Sequence, residues 1–260
     1  MVFSWLRRRR RRKILAEPFP AAWDEHLRAL PFYGTLSSDE QARLREITQV
    51  MVSEKNWEGC GGLVMTDEIR VTVSGQAALL LLNIEHEYYR RARSVVVHPS
   101  TILASHRQMM GTHGLLQSGK IPVLGLAFYR GPVVLSWDAV RHGGMNPNDG
   151  RNLVIHEFAH KLDMLSGCAN GTPPLHQDEH YGEWIRVMTK EFRILNLKAD
   201  KGQRSLLDKY GATNPAEFFA VATECFFEKP RTMARRCPDL YDVLKKYYCQ
   251  DPAARDPTSA

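Results

Sequence analysis

Leu153-Val154-Ile155-His156-Glu157-Phe158-Ala159-His160-Lys161-Leu162-Asp163 carries H-E-x-x-H inside an apolar run. Positions four apart on a helix lie about 40° apart around its axis, so the imidazoles of His156 and His160 can reach one ion, with Glu157 beside them. Two nitrogen donors and a neighbouring carboxylate that can take a proton from zinc-activated water are the working parts of a zinc peptidase. Leu153, Val154, Ile155, Phe158, Ala159, Leu162 and Leu165 suit a helix packed on several sides, Asn148 or Asp149 offers an N-cap, and Gly167 offers a stop. A buried His-Glu-His cluster without a metal would be costly to desolvate, which weighs against an incidental motif.

His176-Gln177-Asp178-Glu179-His180 spells the inverted pattern H-x-x-E-H. It follows Gly171-Thr172-Pro173-Pro174, has no apolar run before it and straddles an expected helix start, so it reads as polar loop and not as a metal site.

The chain has 260 residues, 43% of them hydrophobic and 25% charged, which suits one sizeable globular domain. Its longest apolar run, Ala77 to Leu82, falls far short of the roughly 18 residues that span a bilayer. Five cysteines without a C-x-x-C pair argue for a reducing compartment, and with no signal-peptide pattern at the start the expected location is the cytoplasm. The seven positive charges of Arg7 to Lys13 exceed the net charge of +6, so the rest of the chain is one charge negative and offers no specific nucleic-acid site. Residues 1–16 are expected to be a basic, disordered arm with weak attraction to anionic surfaces, 17–252 a single domain and 253–260 a tail.

Along the domain, Ala22 to Leu30 reads as a short amphipathic helix, and Ser37 with Glu40 has capping-box spacing ahead of a helix whose apolar face is Leu44, Ile47, Val50 and Met51. Ile69 to Val73 alternates like a strand, although a buried helix could begin at Gly75. Ser94 to His98 reads as an inner strand; Val123 to Tyr129 and Pro132 to Trp137 read as a strand pair turning at Arg130-Gly131. Beyond Gly150 helices are expected near 151–165, 179–197, 214–228 and 231–248. The fold class is therefore α+β, a small mixed sheet followed by a mostly helical C-terminal half.

A catalytic zinc usually takes three protein ligands, so a third is needed. Asn214-Pro215-Ala216-Glu217-Phe218-Phe219-Ala220-Val221-Ala222-Thr223-Glu224 is an apolar helix with two carboxylates seven apart on one face. Glu217 could instead close a capping box with Asn214, and Glu224 could support a ligand or form an ion pair, so spacing leaves the choice open. Asp163, on the same face as the histidines, could orient a ligand ring or simply pack.

The runs HEFAHKLDML, NPAEFFAVATECFF and GPVVLSW resemble the Mlc titration factor A family of bacterial zinc peptidases, related to the catalytic domain of anthrax lethal factor. The likeness extends from roughly Ser37 to Asp251 and leaves the arginine-rich start outside. It implies a zincin-like fold of the gluzincin type, with Zn2+ held by His156, His160 and Glu217, Glu157 as general base, and Tyr210, seven positions before Glu217, beside the substrate carbonyl. It further implies aminopeptidase-type activity on peptides and a link to regulation of sugar uptake. By analogy with zincins, Pro132 to Trp137 is the expected edge strand for an extended substrate. The rival function is a binding module that sequesters a transcriptional repressor of the Mlc type, with zinc structural or gating; Glu157 favours chemistry, because a purely structural site needs no general base.

Overall fold

Val95 and Val97 are buried while Ser94, Val96 and His98 are only half-buried, the two-residue alternation of a strand with one face on a core. In the computed structural model, which describes residues 2–105, 120–129 and 131–255, this strand is β2 (Ser94–His98) and lies inside a four-stranded sheet. The order is β1 (Asn56–Gly59), β2, β6 (Val133–Ser136), β5 (Gly125–Ala127). β1, β2 and β6 run parallel, with Val95 opposite Val133 and Val97 opposite Leu135; β5 runs antiparallel to β6, with Leu126 opposite Val134. The pairing of β5 with β6 was legible in the sequence, whereas Arg130 in their turn lies outside the described residues. β6 is hydrogen-bonded on both sides, so the expected substrate edge at Pro132 to Trp137 is an interior strand, and among the described residues β1 and β5 are the edge strands. A separate antiparallel pair, β3 (Ile102–Ser105) with β4 (Lys120–Val123), was not foreseen.

Helices cover the rest. Ser37 and Glu40 close both halves of the capping box at α3 (Ser38–Glu54), and Leu44, Ile47, Val50 and Met51 are buried as their spacing requires. Ile69 to Val73 is not a strand. It belongs to α4 (Asp67–Leu79), which opens with the Thr66 hydroxyl accepting from Ile69 N at 3.3 Å. A helix buried on all sides loses the 3.6-residue polarity signal, and β-branched residues at 69, 71 and 73 then mimic an alternating strand.

The basic start is helical in this structure. Residues Val2–Ala16 form α1, which packs on α3. Arg11 bonds Glu54 at 3.0 Å and Glu87 at 3.1 Å and covers the Tyr88 ring, while Gln49 donates to Ile14 O and Glu17 O. Arginine is a good helix former, and acidic and aromatic partners under Arg11 supply the docking that a linear reading of the charge run misses. At the other end Arg255 bonds Glu40 at 2.7 Å, and residues 256–260 lie outside the described ones.

The C-terminal half contains helices His180–Asp200, Pro215–Glu228, Pro230–Arg236 and Pro238–Tyr248. The last two replace the single helix expected over 231–248, because Pro238 lacks an N–H and drives Cys237 out of helical geometry, to φ −138° and ψ 59°. Phe158, Phe218, Phe219, Phe226, Trp184 and Tyr248 fill one continuous core that reaches Val95 and Leu135 of the sheet.

Candidate metal centre

The histidine helix runs Leu153–Asp163 and packs between the sheet and the Pro215–Glu228 helix. Its N-cap is Asn152, not Asn148 or Asp149: Asn152 Oδ1 accepts from Ile155 N at 3.0 Å. Val154, Ile155, Phe158, Ala159 and Leu162 are buried, which leaves His156 and His160 aimed together at the start of the Pro215–Glu228 helix.

There Asn214 Oδ1 accepts from Glu217 N at 3.0 Å, with Pro215 in the first turn. The backbone half of the predicted box is made, but the Glu217 carboxylate turns to the histidines. Glu217 Oε2 lies 3.0 Å from His156 Nε2 and 3.3 Å from His160 Nε2, and the two Nε2 atoms are 3.2 Å apart. Among the described residues these three are the group whose donor atoms converge as metal ligands. A tetrahedral ion with bonds of about 2.0–2.1 Å requires donor separations of about 3.3 Å, so the triangle has the size of a tetrahedral face. The donor set of two imidazoles and a carboxylate fits such an ion.

Glu224 takes a different task from Glu217. Its Oε1 is 2.7 Å from His156 Nδ1 and its Oε2 accepts from Asn152 N at 2.6 Å. One carboxylate thus fixes both the ring, with Nε2 facing the cluster, and the start of the helix that carries it. Asn152 Nδ2 donates to Gln76 Oε1 at 2.8 Å, which ties α4 into the same buried network. Asp163 holds no ligand ring in this arrangement: it accepts from Gly171 N at 2.8 Å and Thr172 N at 2.9 Å, anchoring the following loop. Gly171 is at φ +76°, and a Cβ there would lie 2.4 Å from Pro215 O, so the loop presses directly on the Glu217 helix.

Burial pushes the Glu217 carboxyl up, but hydrogen bonds from the two histidines outweigh it and hold the pKa down at about 2. Burial raises the Glu157 carboxyl above its ordinary value, a rise moderated by the nearby histidines. Tyr210 sits in a short turn, Lys209–Ala212, held by Asp208, which accepts from Tyr210 N at 2.9 Å and pairs with Arg151 just before the histidine helix. The Tyr210 ring is 5.9 Å from that of His156 and half exposed, and burial of the hydroxyl with the charges of Glu217 and Glu157 pushes its pKa up to about 12.

Two neighbours were not anticipated. β5 crosses so close to the histidine helix that a Cβ on Gly125 would lie 2.5 Å from Glu157 Oε1. Lys161, buried next to His160, donates to Phe128 O and, at 3.1 Å, to Gly131 O, binding the turn after β5 to the same helix. A lysine inside the apolar run was the available signal. The inverted motif takes no part: His176 Nε2–H donates to Tyr247 O at 2.6 Å, and His180 opens its helix.

A family model described as glucose-regulated metallo-peptidase M90 matches residues 5–249. The chain belongs to that family. The match extends well before Ser37 and takes in most of α1, consistent with its docking on α3. The M90 member is 35% identical over 94% of its length to an uncharacterized protein of Synechocystis sp., and covers 89% of that relative. It is 32% identical to the Mlc titration factor A of Serratia proteamaculans and 30% to that of Yersinia pestis, over 90% of the chain in each case and 89% and 86% of the relatives. Membership makes it a metallopeptidase, with peptides as its substrate class and a metal ion implied.

Proposed function

We propose that this M90 member is a zinc peptidase of the gluzincin type with a zincin-like fold, its ion held by His156, His160 and Glu217. The observation that carries this reading is the triangle of 3.0, 3.2 and 3.3 Å formed by their donor atoms, with a buried carboxylate, Glu157, on the same helix. Zinc bound there supplies Lewis acidity that brings the pKa of a water toward roughly 7. Glu157, buried on the same helix as the two histidines, takes the proton of the attacking water and returns it to the leaving amine. The Tyr210 hydroxyl donates to the carbonyl oxygen as negative charge grows there, a contribution of about 10² to 10³ in rate. The free edge of β5 lies beside Glu157 and can pair with an extended peptide, the role first expected of Pro132 to Trp137.

Aminopeptidase-type cleavage and a role in sugar uptake are the readings favoured by likeness to the Mlc titration factors. Free cysteines, and the absence among the described residues of a helix long and apolar enough to cross a membrane, support a cytoplasmic site of action. The same relatives, named as titrating Mlc, support a second reading in which the chain sequesters a repressor of that kind. Zinc per chain in wild type and Glu217→Ala, with peptide turnover of Glu157→Gln, separates the two. About one zinc in the wild type, much less in Glu217→Ala, and a zinc-loaded but inactive Glu157→Gln support the peptidase; no zinc after reconstitution, or full turnover in Glu157→Gln, overturns it.

A further inference from the structure

With Arg11 turned toward Glu54 and Glu87, the 100° step of an α-helix sorts the rest of α1 into two faces. Arg7, Ile14 and Leu15 fall near Arg11 and are half-buried, as that geometry requires. Arg9, Arg12 and Lys13 fall on the opposite side together with Trp5 and Leu6, and all five are exposed, while Arg10 at the flank donates to Ser53 O of α3 at 3.4 Å. This outer face carries three cations and no acidic residue, and the Arg9 guanidinium lies 5.5 Å from the Trp5 ring centre. The docking of Arg11 and Gln49 fixes the helix, so the charges act as one surface and not as a loose tail.

We propose that this outer face of α1 docks the protein on a membrane surface containing anionic lipid. Charge complementarity supplies the attraction, because each Lys or Arg near such a surface strengthens binding about fivefold. Trp5 and Leu6, 53% and 47% exposed at one end of the face, decide between lipid and nucleic acid. An indole prefers the headgroup boundary and a leucine the acyl region beneath it, whereas a phosphate backbone has no use for an exposed leucine. A helix of 15 residues is about 22 Å long and lies in the interface without spanning it, so attachment is reversible.

Flotation of the full chain with vesicles tests this. Vesicles of phosphatidylcholine mixed with phosphatidylglycerol should carry the protein at low salt, pure phosphatidylcholine vesicles should not, and added salt should release it. Arg9→Gln, Arg12→Gln and Lys13→Gln combined should weaken binding on the order of a hundredfold. Trp5→Ala alone should weaken it measurably while leaving every cation in place. These side chains point to solvent, so melting of each variant should match the wild type. Absence of binding to the anionic vesicles overturns the proposal. So does equally tight binding to an arbitrary DNA duplex with no effect of Trp5→Ala, which would make α1 a plain polycation.

Discussion

Gly125 and Glu157 meet so closely that no side chain fits between them: a Cβ on Gly125 would stand 2.5 Å from Glu157 Oε1 and 2.7 Å from Leu153 Cδ1. The strand edge proposed to hold substrate and the carboxylate proposed to move its proton are therefore set against each other by an absent methyl group. Gly125→Ala must displace one of them. A misplacement of about 1 Å can cost about 10²-fold in rate, so turnover should fall by about that factor while zinc content stays near wild type. Steady-state kinetics with metal analysis on the same sample checks it, and unchanged turnover would show that β5 and Glu157 do not act together.

Glu224 bonds the ring of His156 and the backbone of Asn152 at once. Glu224→Gln keeps the shape but loses the charge behind the imidazole, and metal affinity should fall about 10- to 100-fold. Competition with a chelator of known affinity measures the change directly.

Lys161 fastens the turn after β5 to the histidine helix through Phe128 O and Gly131 O. Lys161→Met preserves the aliphatic stem and removes both bonds, loosening the free edge without touching the three proposed ligands. KM for peptides should rise about tenfold, about 1.4 kcal/mol, with a smaller change in kcat. A fall in kcat alone would mean that the tether serves the chemistry and not the binding edge.

Glu228 is buried at the end of the helix that carries Glu217 and Glu224, and burial, with the charges of Asp149 and Glu224, pushes its pKa up to about 8. In the unfolded chain the value is near 4.5, so between these limits the folded state binds more proton than the unfolded one. The neutral carboxyl's advantage is complete below about pH 4.5 and is lost as pH rises through about 8. Glu228→Gln should therefore melt close to the wild type in mild acid and several degrees higher above about pH 8. Thermal melts across that range decide it.

Much of the centre follows from the chain alone. His156 and His160 share a face because a helix repeats every 3.6 residues, and Asn214 caps the turn bearing Glu217 because an amide three residues ahead can reach that N–H. The apolar run around the motif likewise dictated a buried helix, and Ser94 to His98 an inner strand. Where burial is complete the signal fails, as at Ile69 to Val73, since a helix surrounded by core has no polar face to reveal its period. The docking of the helix through Arg7 to Lys13 was not legible because its partners, Glu54, Glu87 and Tyr88, are distant in sequence.

Only packing could divide the labour between Glu217 and Glu224. Seven residues apart, they lie on one helical face, and nothing local says which of them meets Nε2 of a histidine 61 residues away and which meets Nδ1. The way two apolar helices settle against each other decides that, and the same holds for the edge strand: alternation identifies a strand, but its place in the sheet depends on β2 taking the other side of β6. Periodicity and capping are properties of neighbours along the chain, so the sequence by itself determined the helices that carry His156, His160 and Glu217. Contacts between distant segments depend on how whole surfaces pack, and these alone decided which carboxylate meets both histidine Nε2 atoms and which strand lies at the sheet edge beside Glu157 among the described residues.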